Sequence, residues 1–150
     1  DYNPKTIQWC REHFPQNHFI INDLLPPLNL KSDFFDAIFG ISVLTHLSED
    51  SHYKWIKELH RLLKSGGILI LTTHGNRFKY HLSEKELKQY ENHQLVIRAD
   101  TKEGKRAFAT FHPPQFLREC LFNEFEVLEH IAEDRPQMRF PQDIWVIRKK

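Results

Sequence analysis

The chain has 150 residues, 40% of them apolar and 27% charged, the proportions of an ordinary globular domain long enough to bury one core. Its 21 Lys and Arg against 20 Asp and Glu leave a net charge of +1, too little for a field that gathers nucleic acid or an anionic membrane surface. No apolar run approaches the roughly 20 residues of a membrane helix, and Cys10 and Cys120 lie far apart in helix-like patterns, which favours two buried thiols in a reducing cytoplasm over a disulfide.

In chain order, Asn3-Pro4 is a helix start: the Asn side chain accepts from the first free amides, and proline at the first helical position forfeits no hydrogen bond. Ile7, Cys10 and Phe14 recur at helical spacing until Pro15. The run HFIIND, residues 18–23, is short, apolar and β-branched, and reads as a buried strand. LLPPLNLKSD follows as a loop stiffened by Pro26 and Pro27. FFDAIFGISVL, residues 34–44, is nearly all apolar, as expected of a parallel strand covered on both faces. Ser48, Glu49 and Asp50 make a capped, acidic helix start, and Tyr53, Ile56, Leu59 and Leu63 continue as one stripe. The helix is expected to stop at KSGG, with Gly66 in the left-handed conformation, before the buried strand ILILTT at 68–73.

Residues 75–106 are polar and charged, with a helix from about Ser83 and a strand at QLVIR. They read as a surface insertion with too few apolar residues for a core of its own. Pro113 and Pro114 start another helix carrying Phe116, Leu117, Cys120 and Leu121. FEVLEHI, residues 125–131, and DIWVIRK, residues 143–149, alternate like half-buried strands. Helices alternating with apolar strands imply a single α/β domain over 1–150, with a mostly parallel sheet. The last two strands, too closely spaced for an intervening helix, are expected to pair antiparallel.

Several stretches, in this order, resemble the class I S-adenosylmethionine-dependent methyltransferases. DYNPKTIQWCRE resembles the segment where the family's second strand ends in an acid and a helix begins. NDLLPPL resembles the loop after its third strand, and FFDAIFGISVLTHL its fourth strand and following turn. WIKELHRLLKSGGILILTTHG resembles its helix–turn–strand signature, with Ser65 where proline is usual, and QDIWVIRKK its last strand. The resemblance implies a Rossmann-like methyltransferase sheet, mostly parallel with an antiparallel final strand, binding S-adenosyl-L-methionine. The glycine-rich turn that ends the family's first strand is absent: Gly40, Gly66, Gly67, Gly75 and Gly104 form no GxG ahead of the first helix. We therefore expect an N-terminal strand to be missing, and the domain to be a portion of a longer enzyme or to be completed by a dimer partner or a second chain.

The resemblance also implies roles for particular residues. Asp1 matches the acid that accepts from the ribose hydroxyls, a task suited to a group offering acceptors only; the alternative is an exposed terminal acid. Tyr2 would lie over the adenine, or be a core or surface tyrosine. Asp23 matches the acid accepting from the adenine amine, with the Leu24 amide on a ring nitrogen; the alternative is an Asx turn into the proline loop. Ser42 ends the fourth strand below the sulfonium, or is simply a small residue there. His46 and His74 follow the fourth and fifth strands on the substrate side, where a neutral imidazole takes a proton from a hydroxyl or amine; His112 is a weaker candidate. The bland readings are a turn cap for His46 and solvent exposure for His74.

Metal-ligand spacings such as CxxC or HExxH are absent, as are a basic stripe and the Asn/Asp-Pro-Pro-aromatic signature of base amino-methylation. A small-molecule methyl acceptor is therefore expected rather than nucleic acid, with specificity in the 75–106 insertion. The rivals are a non-catalytic methyltransferase-like binding or assembly module and, against the antiparallel final strand pair, a nicotinamide-dependent oxidoreductase.

Overall fold

The computed structural model describes residues 1–132 and 142–150. Helix α1, Pro4–His13, begins as expected: Asn3 Oδ1 accepts from the Lys5 and Thr6 amides at 3.0 and 3.4 Å. The main sheet holds β1 (Phe35–Gly40), β2 (Leu63–Thr73), β5 (Phe125–Ile131) and β6 (Asp143–Lys149) in the order β1-β2-β6-β5. β1 and β2 are parallel, and β6 lies antiparallel to both β2 and β5. Three strands thus run one way and only β6 is reversed, as the alternating pattern and the closely spaced last pair predict. Most of the connection between β5 and β6, residues 133–141, lies outside the described residues.

The register puts Leu69, Leu71, Trp145, Ile147 and Val127 on one face, where α2 (Glu49–Leu62) and the segment 114–121 cover them. Trp145 is fully buried against Phe122, and its indole N–H donates to Thr73 Oγ1 at 3.1 Å. The opposite face is open: Phe39 is 74% exposed, and Ile70 and Leu128 are exposed too. β1 is therefore not covered on both faces, and it ends at Gly40 rather than running on to 44.

Residues 18–23 are extended but form no strand, and Ile20 and Ile21 are exposed. A strand exists only when a neighbour supplies its ladder of donors and acceptors. Among the described residues the segment's backbone hydrogen-bonds to the rest of the chain only through Asn22 N–H to the Asp1 carbonyl at 3.2 Å, the Asp1 ammonium to the Ile20 carbonyl at 3.3 Å, and the Arg11 guanidinium to the Phe19 carbonyl at 2.7 and 3.1 Å. The loop after it is laid along α2 by three side chains. Trp55 Nε1–H donates to the Leu24 carbonyl, Glu58 Oε1 accepts from the Leu28 amide, and Arg61 donates to the Leu28 and Leu30 carbonyls.

Gly66 does take the left-handed conformation (φ 74°), but α2 has already ended at Leu62. Gly66 instead shapes the irregularity by which Phe35 pairs Leu63 while Ala37 pairs Ile68. The thiols are free but not core: Cys10 is half-buried and Cys120 exposed.

The insertion carries α3 (Glu84–Glu91) and β3 (Val96–Arg98), which pairs antiparallel with β4 (Ala109–Phe111) just beyond it, and the short helix α4 (Pro114–Phe116) follows. Ser83 and Glu86 form a capping box at the start of α3, and Arg98 donates to both Glu86 oxygens at 2.8 Å. A small cluster joins the insertion to the strand after it, with Tyr90, Val96 and Phe111 packed by Phe78, Leu82 and Ala109.

Candidate functional site

Beyond the carboxyl ends of β1 and β2 lies a cavity of about 510 Å³. This is where an open α/β sheet presents ligand sites, because the loops leaving parallel strands diverge there. Asp1, Tyr2, Asp23, Leu24, Ser42 and His46 all line it, brought together from three separated segments of chain.

Asp1 and Tyr2 precede α1, and the Asn3 amide donates to Asp1 Oδ1 at 2.7 Å. The Asp23 carboxylate has no hydrogen-bond partner among the described residues, while the Asn22 side-chain amide donates to the Asp23 carbonyl. Leu24 is held through its carbonyl by Trp55, which also lines the cavity.

Ser42 adopts a left-handed backbone, φ 56°, unusual for a residue with a β-carbon. A buried hub keeps it there. The Ser42 amide donates to Thr72 Oγ1 at 2.8 Å, and both the Ser42 and Thr72 hydroxyls donate to Gln142 Oε1, at 2.9 and 2.6 Å. Thr45 Oγ1 donates to the Ser42 carbonyl at 2.8 Å. The turn after β1 is thereby fixed by β2 and by the residue preceding β6.

His46 Nδ1 lies 2.8 Å from the Phe108 carbonyl. A carbonyl only accepts, so Nδ1 carries the hydrogen, and in the neutral ring Nε2 keeps its lone pair. His74 makes the same arrangement with the Thr110 carbonyl at 3.1 Å, but it does not line the cavity. Its ring packs on Phe78 and Phe111 rather than facing solvent, and burial lowers its pKa to about 4. Of the two substrate-side candidates, only His46 therefore lines the cavity.

His112 is a core residue, not a site residue. It is fully buried with its Nε2 2.9 Å from that of His52, whose Nδ1–H donates to the Ser48 carbonyl. His112 must therefore donate, and burial holds both rings well toward the neutral form.

Sequence reasoning passed over several residues. Thr72 and Gln142 support Ser42 from 30 and 100 residues away, with no local pattern to betray the contact. Buried Asp143 accepts from His130 Nε2 at 2.8 Å, and the His130 ring stacks on Trp145 at 3.6 Å. The Asp143 carboxylate leaves no room for a β-carbon at Gly75, which fixes the turn after His74. Two strands, β5 and β6, and the turn at Gly75 thus meet at the end of β2 through contacts no motif announces.

Residues 1–71 match the sequence model of the family described as "Methyltransferase domain". Among solved structures, an S-adenosylmethionine-dependent methyltransferase of Methanosarcina mazei is similar over 100% of this chain and 79% of its own, at 18% identity and a TM-score of 0.66. One from Listeria monocytogenes is similar over 100% and 78%, at 14% identity and a TM-score of 0.71. A Thermotoga maritima SAM-dependent methyltransferase, "possible histamine N-methyltransferase", is similar over 100% and 72%, at 16% identity and a TM-score of 0.60. The family match covers every residue lining the cavity except Gly104, and the shared fold spans the whole chain. Residues 1–71 thus match a methyltransferase domain, and the whole chain shares the fold of the S-adenosylmethionine-dependent methyltransferases it resembles.

Proposed function

We propose that the chain is an S-adenosyl-L-methionine-dependent methyltransferase acting on a small molecule bearing a hydroxyl or amine, and that the cavity at the end of β1 holds the cofactor. The observation that carries the reading is the convergence of Asp1, Tyr2, Asp23, Leu24, Ser42 and His46 on one cavity of about 510 Å³. The donor set suits the adenosine half. Two carboxylates offer acceptors only, one of them without a partner among the described residues, beside the flat ring of Tyr2 and the apolar side chain of Leu24. Asp1 serves the ribose hydroxyls, Asp23 the adenine amine and the Leu24 amide a ring nitrogen.

When bound, the cofactor supplies a methyl group activated on a sulfonium. The protein's share is alignment and proton handling. Ser42 holds the strand-end turn in one conformation. His46, its Nδ1–H committed to Phe108, offers Nε2 to take the acceptor's proton. The near-neutral charge and the Thermotoga maritima neighbour's name favour a small acceptor over a polymer. Free Cys10 and Cys120, one half-buried and one exposed, suit the cytoplasm.

The outer edge of β1, paired with no strand among the described residues, favours a second statement: another segment or chain pairs with β1 and completes the sheet. Calorimetric titration with S-adenosylhomocysteine tests the first reading. Saturable binding that Asp23→Ala weakens about tenfold or more supports it, since a lost charge-assisted contact is worth that much. Absence of binding, alone and with a completing strand supplied, refutes it.

A further inference from the structure

A turn of the insertion reaches back over the opposite wall of the cavity. Gly104 lines it. The Gly104 carbonyl accepts from the Tyr2 hydroxyl at 2.7 Å, and its amide donates to the His46 carbonyl at 2.9 Å. The residue before it, Glu103, accepts from the Ser48 amide at 2.7 Å and the Ser48 hydroxyl at 3.0 Å, which clamps the turn to the start of α2.

Position 104 accepts glycine alone for two separate reasons. Its φ is 81°, and a β-carbon there would sit 2.7 Å from Leu24 Cδ1 and 3.3 Å from Tyr2 Cε1. Tyr2 and Leu24 are the residues that the reading above gives to the adenine. The same insertion holds the His46 ring through the Phe108 carbonyl. One loop therefore touches both the adenosine wall and the base offered to the acceptor.

We propose that the 102–105 turn is the closing wall of the cofactor site, so that cofactor binding and ordering of the insertion are a single coupled event. This rests on the adenosine-side reading of Tyr2 and Leu24. A ligand beneath Gly104 gains contact from the ordered turn, and by linkage an ordered turn raises the affinity for that ligand by the same factor. Loading the cofactor then steadies His46 before an acceptor arrives.

Hydrogen exchange of the full chain with and without S-adenosylhomocysteine, read by mass spectrometry, tests the coupling. In the wild type, saturating ligand should slow exchange by about fivefold or more in peptides covering 22–24 and 102–108 alike. Gly104→Ala should weaken binding about tenfold, the scale of forcing a β-carbon into left-handed backbone, and should abolish the slowing at 102–108. Tyr2→Phe keeps the ring, so it folds whether or not Gly104→Ala does, and should weaken binding about threefold by losing one hydrogen bond. Ligand protection at 22–24 without any at 102–108, with both variants binding as the wild type does, overturns the coupling and leaves the adenosine reading standing. No protection at either place overturns the adenosine reading, and the coupling with it.

Discussion

Thr72→Val is a near-isosteric change that isolates the hub beneath Ser42. Thr72 is 6% exposed, and its Oγ1 accepts from the Ser42 amide while donating to Gln142 Oε1. Valine keeps the volume, so no cavity term enters, but both hydrogen bonds go. Two bonds at about 1 kcal/mol each, with the Ser42 N–H left half-buried and unpaired, give a loss of about 2–3 kcal/mol. Relaxation of Ser42 away from φ 56° returns part of this, so about 2 kcal/mol is expected. In a domain of this size that is a fall in Tm of about 4–8 °C. Thr72→Ser keeps the hydroxyl and should cost about 1 kcal/mol or less. Urea unfolding with linear extrapolation reads both, and S-adenosylhomocysteine affinity should fall only in the valine variant. Should valine cost under about 0.5 kcal/mol, or serine cost as much as valine, the hub does not hold the turn.

His46→Gln should lower the turnover of a hydroxyl or amine acceptor by about 10²–10⁴-fold, and steady-state kinetics beside cofactor titration should find cofactor affinity little changed. His52, His74 and His112 have pKa values lowered by burial, so the unfolded chain binds more protons than the native one below its ordinary histidine pKa. Stability should thus be full above pH 6.5 and fall as the pH drops toward about 4, the native value for His74; in unfolding curves across that range His74→Gln should flatten the slope. Gly75→Ala should destabilise by about 1–3 kcal/mol through overpacking on Asp143, and a double-mutant cycle with Asp143→Ser should show a coupling that relieves much of this.

Cap chemistry is local, and the residues that carry it are legible: Asn3, Ser48 and Ser83 start helices where their side chains can reach the first amides. β2 and β6 are legible because apolar composition and alternation write themselves into a short window. What depends on a partner is not. HFIIND has the composition of a strand, but no ladder adjoins it, and β4 is three residues long with no turn signal of its own. The cavity residues were recognisable through family motifs at the strand ends. Their supports were not, since Gln142 meets Ser42 across 100 residues and Gly104 meets Tyr2 across 102. The buried His52–His112 pair shows the converse, a histidine whose motif position invites a site role while packing assigns it to the core.

A crystal structure of the protein grown with S-adenosylhomocysteine tests the central claim most directly. The account predicts the adenosyl group in the cavity at the end of β1, its ribose on Asp1, its base against Tyr2 and Leu24 with the amine on Asp23, and Gly104 closed over it. Ligand bound elsewhere on the molecule, with that cavity filled by solvent at saturating concentration, would contradict it.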